Sequence, residues 1–389
     1  MPFVAAVMTG QGAGAIATIQ LAGDDAKCAL EKILRRPDGG PLHPETGRFL
    51  LGQVVDGSEI IDQVTLGCEG HHVYAIHCHG NPIVVRRIAN LLRRCGATIV
   101  PAEQLLARIL ADRGFRTTIE MEAQLALTTV RTIEGAELVV HQAREGLSQK
   151  VRQWQDSLTS ASLARIAAEA EQILTDSEPA RWIISGCTIA LVGPPNTGKS
   201  TLFNALAGRE KAIVTDVRGT TRDWVSAEIH IPPLAATVID TAGLDEALAA
   251  EPGSLDAIAQ RESMEVLGRV DLVLLVLDLT QPAAQVPAVL TAALTGKRTL
   301  TVLNKADLAS PERRDPTAGP VALSAKIGTG LDALLEAIRS ISGVTRVPLD
   351  RTVAFNDRQR RLLAKLSSVR SVPAAASAIS ELLERPLSV

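Results

Sequence analysis

The segment "GPPNTGKS", Gly193 to Ser200, constrains the fold of this chain more than any other stretch. It fits the pattern GxxxxGK[ST], and a strand pattern (189–192) precedes it while a helical pattern (199–207) follows. In that setting the backbone N–H groups and the helix N-terminus face phosphate groups. The sequence therefore predicts a phosphate-binding α/β domain. The residues expected at the phosphates are Asn196, Thr197, Gly198, Lys199, Ser200 and Thr201, with Lys199 bridging the outer phosphates and Ser200 on magnesium.

A second segment, "VIDTAG", ends an apolar strand at Asp240. Asp240 can hold magnesium through water, and the Gly243 amide can touch the terminal phosphate. Between the phosphate loop and Asp240 lies "AIVTDVRGTTRDW", where a switch segment belongs. Thr220 and Thr221 there can supply a magnesium ligand and sense the terminal phosphate, or they can form a polar surface turn. A switch implies order with GTP and loosening after hydrolysis.

The segment "LTVLNKADL" predicts which base the site binds. It places Asn304, Lys305 and Asp307 after another apolar strand. The Asp307 carboxylate can accept from the two edge N–H groups of guanine, a pair that adenine lacks, so discrimination could reach about ten-thousand-fold. The backbone of "SAK", which is Ser324, Ala325 and Lys326, can donate to the guanine carbonyl. The predicted nucleotides are GTP and GDP.

The residue that follows "DTAG" is a leucine, Leu244. In many small GTPases a glutamine in this region orients the attacking water. Hydrolysis is then either very slow or assisted by other groups, and no arginine finger can be identified from one sequence.

The order "GPPNTGKSTLFNALAGREKAIVTDVRGTTRDWV", "IDTAGL", "NKAD" and "LSA" resembles the MnmE (TrmE) family of tRNA-modification GTPases. In that family the asparagine of the phosphate loop coordinates a potassium ion in the place of an arginine finger. The resemblance implies a potassium site formed by Asn196 with oxygens of Thr215, Val217 and Thr220. Such an ion stabilises developing charge. The alternative is that Asn196 makes only a local hydrogen bond in the turn.

The resemblance also implies a water-orienting residue. The family uses a glutamate on the helix after the "DTAG" loop, and alignment of "SLDAIAQRES" places Asp256 there. Glu251 is the alternative, because the preceding segment is a few residues longer than usual. The implied catalytic set is Asp256, Gly243 and Lys199.

Outside the nucleotide site, "GQGAGAIATIQLAG" and "HCHGNPIVVRRIANLL" resemble the N-terminal domain of the family. That domain dimerises and binds a tetrahydrofolate one-carbon donor. Here Gln20 stands where arginine is usual and Ala75 where glutamate is usual, and "VPAEQLLARILADRGF" replaces another expected stretch. The resemblance therefore implies a homodimer more directly than a folate site.

The predicted fold is an α/β P-loop GTPase, a Ras-like G domain inserted in a helical domain, with an N-terminal α+β domain. The predicted boundaries are 1–114 for the α+β domain, 115–183 and 346–389 for the two parts of the helical domain, and 184–345 for the G domain. The region 115–177 predicts two or three helices, and "SEPARW" predicts a hinge before the G domain.

Composition limits the compartment and the partners. The net charge of −3 gives no global basic field for nucleic acid or anionic lipid, and no apolar run approaches the length of a membrane span. Five scattered cysteines without a CxxC pair indicate free thiols, hence a cytoplasmic protein without a membrane partner. The basic stretch "DRQRRLLAKLSSVR" can contact tRNA phosphates or form the solvated face of an amphipathic helix.

Members of this family act on tRNA beside a flavin-containing partner, MnmG, and carry a short C-terminal cysteine motif. This sequence has no cysteine after Cys187. Two functions follow: an enzyme of tRNA wobble-uridine modification working with an MnmG-like flavoprotein, or a GTP-dependent binding switch such as a ribosome-assembly factor without modification activity.

Overall fold

The computed structural model describes residues 3–10, 12, 14–70, 72–112, 114–115, 117–209, 214–217, 224–240, 267–281, 286, 288–309 and 319–384. They divide into two compact units. The first unit comprises Met1–Leu125 with Glu384–Val389, and the second comprises Ala126–Leu383.

The first unit is built on a seven-stranded sheet. Its strands are β1 (Val4–Val7), β2 (Ile16–Ala22), β3 (Leu34–Arg35), β4 (Phe49–Asp56), β5 (Glu59–Gly70), β6 (Val73–His79) and β7 (Thr98–Ile99), in the order β3-β4-β5-β6-β2-β1-β7. All neighbours pair antiparallel except β1 with β7. In β2 the alternate residues Ala17, Ile19 and Leu21 are buried, as expected for a sheet with one face on a core.

Helices α1 (Ala26–Ile33) and α2 (Pro82–Arg94) pack on one face of this sheet, and α3 (Ala102–Asp112) packs against Val4 and Ala6 on the other face of β1. Helix α4 (Thr118–Ala126) follows in the chain. Helix α2 begins where the Asn81 side chain accepts from the Ile83 N–H at 2.8 Å, with proline in the first turn. The core combines both layers, as Leu30 and Leu92 of the helices pack with Ile76 of β6. This arrangement confirms the predicted N-terminal α+β domain.

The second unit contains the other sheet. Its strands are β8 (Cys187–Val192), β9 (Val214–Val217), β10 (Trp224–Ile231), β11 (Leu234–Asp240), β12 (Leu272–Asp278), β13 (Thr299–Asn304) and β14 (Val321–Ala322), in the order β14-β13-β12-β8-β11-β10-β9. From β14 to β11 every pair is parallel, and β10 runs antiparallel to both of its neighbours. Strand β8 is central, and its residues 189–192 are all buried, which explains their continuous apolar run.

The remaining helices belong to the same unit. They are α5 (Ile133–Arg144), α6 (Leu147–Ser157), α7 (Leu163–Ser185), α8 (Lys199–Arg209), α9 (Ala288–Leu294), α10 (Leu331–Ser342), α11 (Asp357–Ser368) and α12 (Val372–Leu383). Helices α11 and α12 pack on α7 and α6, so helices from before and after the nucleotide-binding region form one bundle. The predicted insertion of an α/β domain into a helical domain is confirmed. The four boundaries given above remain our proposal.

Two predictions about the helical region are wrong. Four helices, α4 to α7, begin within 115–177, not two or three. The predicted hinge "SEPARW" lies inside α7, which continues through Pro179 to Ser185. Trp182 and Ile183 beyond the proline are almost completely buried, and this burial offsets the cost of the missing backbone donor. The helix ends instead at Gly186, whose φ of 75° is in the left-handed region.

The basic side chains of α11 contact the protein itself. Arg358 donates to the carbonyls of Glu381 (2.7 Å) and Leu382 (3.5 Å) at the end of α12, and Arg360 donates to the Ser177 carbonyl at 3.5 Å. The same helix buries Leu362, Leu363 and Leu366, whereas Arg361, Ala364 and Lys365 are exposed. These contacts favour the amphipathic-helix interpretation of the basic stretch. None of the described helices is both long and apolar enough to span a bilayer.

A buried glutamine joins the two parts of the helical bundle. Gln142 of α5 is fully buried, and its Nε2 donates to the carbonyls of Leu138 and Arg351, both at 3.0 Å. Its Oε1 accepts from the backbone N–H groups of Leu147 (3.2 Å) and Val353 (3.0 Å). One side chain therefore satisfies polar backbone groups on both sides of the insertion, which would otherwise be buried without partners.

We expect Gln142→Leu to lower the free energy of unfolding by about 2–4 kcal/mol, because it strands buried backbone donors and acceptors. Urea denaturation followed by circular dichroism measures the change. Gln172→Leu, on the exposed side of α7, is the matched control and should change stability by no more than about 0.5 kcal/mol. Equal stability of the two variants would contradict the conclusion that Gln142 joins the two parts of the bundle.

Candidate nucleotide-binding site

The candidate site lies at the carboxyl ends of four parallel strands. Strands β8, β11, β12 and β13 end at Val192, Asp240, Asp278 and Asn304. Asp240 pairs with Leu191 across the sheet, and Asp278 pairs with Asn304. In open α/β sheets ligands bind at this edge.

The phosphate loop between β8 and α8 has a backbone that few residues can adopt. Gly193 (φ 153°) approaches the Val276 carbonyl so closely that a Cβ would collide with it. Asn196, which is exposed, has a φ of 63°, and Gly198 has a φ of 91°. These positive φ values let the loop turn sharply before the helix N-terminus.

Lys199 is held across this loop. The residue is 6% exposed, and its Nζ donates to the carbonyls of Gly193 (2.9 Å) and Pro194 (3.1 Å). Thr197 Oγ1 also donates to the Pro194 carbonyl, at 2.9 Å. The ammonium charge is thus fixed at the mouth of the loop, where phosphate oxygens can replace the carbonyls as its partners.

Asn304 connects the phosphate loop to residues 324–326, which are predicted to contact the guanine base and are called the base loop. It is 3% exposed, its Nδ2 donates to the Thr197 carbonyl at 2.9 Å, and its Oδ1 accepts from the Ala325 N–H at 3.0 Å. A Cβ on Gly198 would collide with the Asn304 amide. The sequence predicted Asn304 as a nucleotide contact, but the structure gives its amide the role of a bridge between two loops.

The predicted guanine-reading residues are brought together. Ser324 is fully buried, and its Oγ donates to Asp307 Oδ1 at 2.5 Å. The Ser324 N–H donates to the Thr329 carbonyl at 2.9 Å, so it is occupied within its own loop. The Ala325 N–H already donates to Asn304 Oδ1, so it can also donate to a guanine carbonyl only as a bifurcated hydrogen bond. Lys326 is exposed beside them.

Asp240 fits the predicted role at magnesium. Its Oδ1 is buried, and among the described residues it has no hydrogen-bond partner. An unsatisfied buried carboxylate oxygen costs roughly 1–3 kcal/mol or more, which a cation or a cation-bound water would offset. Ser200, exposed at the start of α8, is the second predicted magnesium residue within the described part of the chain.

Several predicted site residues lie outside the described residues. They are Thr220, Thr221, Gly243, Leu244, Glu251 and Asp256. Thr215 and Val217 are on β9, where they pair with Ser226 and Trp224 of β10. The predicted potassium set and the water-orienting residue therefore stay predictions.

Asp278 is a site residue that the sequence reasoning missed. Its Oδ2 accepts from Lys305 Nζ at 2.7 Å, and its Oδ1 accepts from the Thr280 N–H (2.9 Å) and Thr280 Oγ1 (2.6 Å). Burial disfavours the charged carboxylate, but the hydrogen bonds from Lys305 and Thr280 outweigh it and hold the pKa of Asp278 below its ordinary value. The available signal was an aspartate ending the apolar run "LVLLVLD" at the edge of a parallel sheet.

Two family profiles match the sequence. The profile described as GTP-binding protein TrmE N-terminus matches residues 3–104. The profile described as 50S ribosome-binding GTPase matches residues 188–305, which include the phosphate loop, Asp240 and Asn304.

Full-length relatives cover most of the chain. It is 31% identical over 368 residues to the tRNA modification GTPase MnmE of Thermus thermophilus, an alignment that covers 86% of this chain and 82% of that protein. It is 30% identical over 393 residues to the MnmE of Opitutus terrae, covering 93% of this chain and 86% of that protein. It is 28% identical over 404 residues to the MnmE of Moorella thermoacetica, an alignment that covers 92% of this chain and 86% of that protein.

We expect Gly198→Ala to reduce affinity for GDP by about a hundredfold or more, because alanine is strained at this φ and its Cβ displaces Asn304. Titration with a fluorescent GDP analogue measures the dissociation constant. The matched control is Gly208→Ala in α8, where nothing lies within 4 Å of the added Cβ. Gly208→Ala should bind GDP as tightly as the unaltered protein does. A similar loss of GDP affinity in both variants would contradict the role of Asn304 as a bridge between the two loops.

Proposed function

The chain belongs to the MnmE family of tRNA modification GTPases and is a GTP-hydrolysing enzyme; we propose that a potassium ion assists its hydrolysis and that the reaction serves modification of the tRNA wobble uridine. The observation that carries the proposal is the phosphate loop, in which Asn196 is exposed in a left-handed conformation beside a fixed Lys199. An exposed amide oxygen next to the phosphates is a ligand of the kind that a monovalent cation needs.

The described residues divide the work of binding GTP. Lys199, whose ammonium is held at the phosphate loop, would supply positive charge at the outer phosphates, and the buried Asp240 Oδ1 would accept from a magnesium-bound water. Asp307, which accepts from Ser324 Oγ, would accept from the guanine edge. Asn304 keeps the phosphate part and the base part of the site at a fixed separation, since it bonds to both loops.

Charge balance favours a cation near Asn196. Leu244 follows "DTAG", so the side chain at that position cannot orient water by hydrogen bonding. Charge develops on the phosphate oxygens as the terminal bond breaks, and a fixed cation stabilises it without reorganisation. We propose that Asn196 holds this ion with oxygens of Thr215, Val217 and Thr220, and that Asp256, or else Glu251, orients the water.

We also propose a homodimer, formed through the N-terminal unit. On its sheet, Phe49 and Leu51 of β4 are 76% and 62% exposed, although both are large and apolar. Contiguous exposed apolar patches are typical of protein interaction sites. Gln20 lies directly opposite Ala75 across β2 and β6 and donates to Glu69 at 3.2 Å. The dimer proposal does not depend on a tetrahydrofolate ligand near this pair.

The partners proposed for the modification reaction are tRNA and an MnmG-like flavoprotein. The relatives that support them are proteins named for tRNA modification. The proposed compartment is the cytoplasm, in keeping with five free cysteines.

The potassium proposal predicts that GTP turnover falls at least about tenfold when sodium replaces potassium. Asn196→Ala should hydrolyse GTP equally slowly in both salts, because it lacks the ion ligand. Asn204→Ala, exposed on α8, is the matched control and should keep the potassium effect. Steady-state phosphate release measures all three, and equal rates in both salts for the unaltered protein would exclude potassium assistance.

The modification proposal predicts that wobble-uridine modification disappears from cellular tRNA when the gene is deleted. Mass spectrometry of tRNA nucleosides measures it, with re-expression of the unaltered protein and of Gly198→Ala as the restoring and non-restoring controls. Unchanged nucleosides would contradict the proposal. A GTP-dependent binding switch, such as a ribosome-assembly factor, would then be the function to test.

A further inference from the structure

Asp278 connects two segments that the nucleotide site must hold in place. Its carboxylate ends β12, is 8% exposed, and accepts from Thr280 through Oδ1 and from Lys305 through Oδ2. The Thr280 bonds are local and close the turn that follows the strand. The Lys305 bond is different, because it reaches the end of the neighbouring strand β13.

Lys305 lies at a strained point of the base-reading segment 304–307. Its φ is 64°, which is unfavourable for a residue other than glycine. Its carbonyl accepts from the Leu308 N–H at 3.0 Å, so the turn that carries Asp307 is built directly on this conformation. The position of the Asp307 carboxylate therefore depends on how firmly Lys305 is held.

Asn304 and Asp307, on either side of Lys305 and Ala306, have anchors of their own. Asn304 is tied to Thr197 and Ala325, and Asp307 is tied to Ser324. Between them, the Ala306 N–H donates to the Leu323 carbonyl at 3.0 Å, and Lys305 is anchored by the salt bridge to Asp278. Its geometry is that of a charge-assisted hydrogen bond, with the carboxylate largely withdrawn from water.

We propose that Asp278 is a positioning residue for guanine recognition, which acts by holding Lys305 and thereby placing the Asp307 carboxylate before nucleotide arrives. The inference rests on GTP binding alone and does not involve potassium, tRNA or a partner. Loss of the anchor should weaken binding of any guanine nucleotide by the same factor, since the phosphate side of the site is unchanged.

The variant Asp278→Asn tests the contact with Lys305 while keeping the hydrogen bonds that close the turn at Thr280. The asparagine Oδ1 can still accept from Thr280, whereas Nδ2 presents a donor to the Lys305 ammonium in place of an acceptor. We expect the Kd for GDP and the KM for GTP each to rise about tenfold, with kcat unchanged within about twofold. Affinity is measured by fluorescence titration and turnover by phosphate release.

Asp271→Asn is the matched control. Asp271 lies just before the other end of the same strand, accepts from a backbone N–H of Thr188 at 2.9 Å, and pairs with Arg181 at 2.7 Å. It is an aspartate in a comparable ion pair, but far along the strand from the nucleotide edge. Its variant should bind GDP as the unaltered protein does, and equal weakening in both variants would show a general loss of structure and overturn the proposal.

A double-mutant cycle tests whether Asp278 acts through Lys305. Lys305→Met removes the same anchor from the other side, and combining it with Asp278→Asn should weaken GDP binding no further than Lys305→Met alone. Additive effects would overturn the proposal, as would an unchanged Kd in a folded Asp278→Asn protein. If Asp278→Asn does not fold, an unchanged Kd for Lys305→Met gives the same negative result.

Discussion

The nucleotide site depends on one buried amide. Asn304 bonds at the same time to the Thr197 carbonyl of the phosphate loop and to the Ala325 N–H of the base loop. A buried amide with both ends satisfied is rigid, and losing either partner would leave a polar group unpaired in the protein. The distance between the phosphate-binding and base-binding parts of the site is therefore a property of the fold itself. Gly198 belongs to the same constraint, because any side chain there would occupy the space of the Asn304 amide.

The charged groups around this bridge are of two kinds: some have a fixed partner in the protein, and others can take nucleotide phosphate or magnesium as a partner. Lys305 meets Asp278, and Asp307 meets the hydroxyl of Ser324. Lys199, in contrast, donates to loop carbonyls that phosphate oxygens can replace, and the buried Oδ1 of Asp240 has no partner among the described residues. Groups that already have partners keep the shape of the site. Groups with exchangeable partners or none can interact with phosphate and magnesium.

Buried polar side chains with satisfied hydrogen bonds also hold the helical bundle together. The helices before and after the α/β region are far apart in sequence, and Gln142 and Ser177 bind the returning segment at Val353 and Ala354. Such contacts are specific in register, whereas the apolar packing around them tolerates slippage. The inserted nucleotide domain is thus carried by a bundle whose two halves are joined by hydrogen bonds from backbone N–H groups to buried side chains.

The sequence by itself determined the elements whose pattern is local: the phosphate loop between β8 and α8, Asp240 at a strand end, the "NKAD" and "SAK" segments, and the α+β character of the region predicted over 1–114. Periodicity, glycine positions and short motifs encode these within a few residues. Only the tertiary structure decided that α7 passes through Pro179, that Asn304 serves as a bridge, and that Asp278 holds Lys305. Each of these depends on burial or on a partner distant in the chain: Asn304 and Thr197 are 107 residues apart, and Asp278 and Lys305 are 27 apart. Contacts of that separation exist only once the sheet has brought its strand ends together.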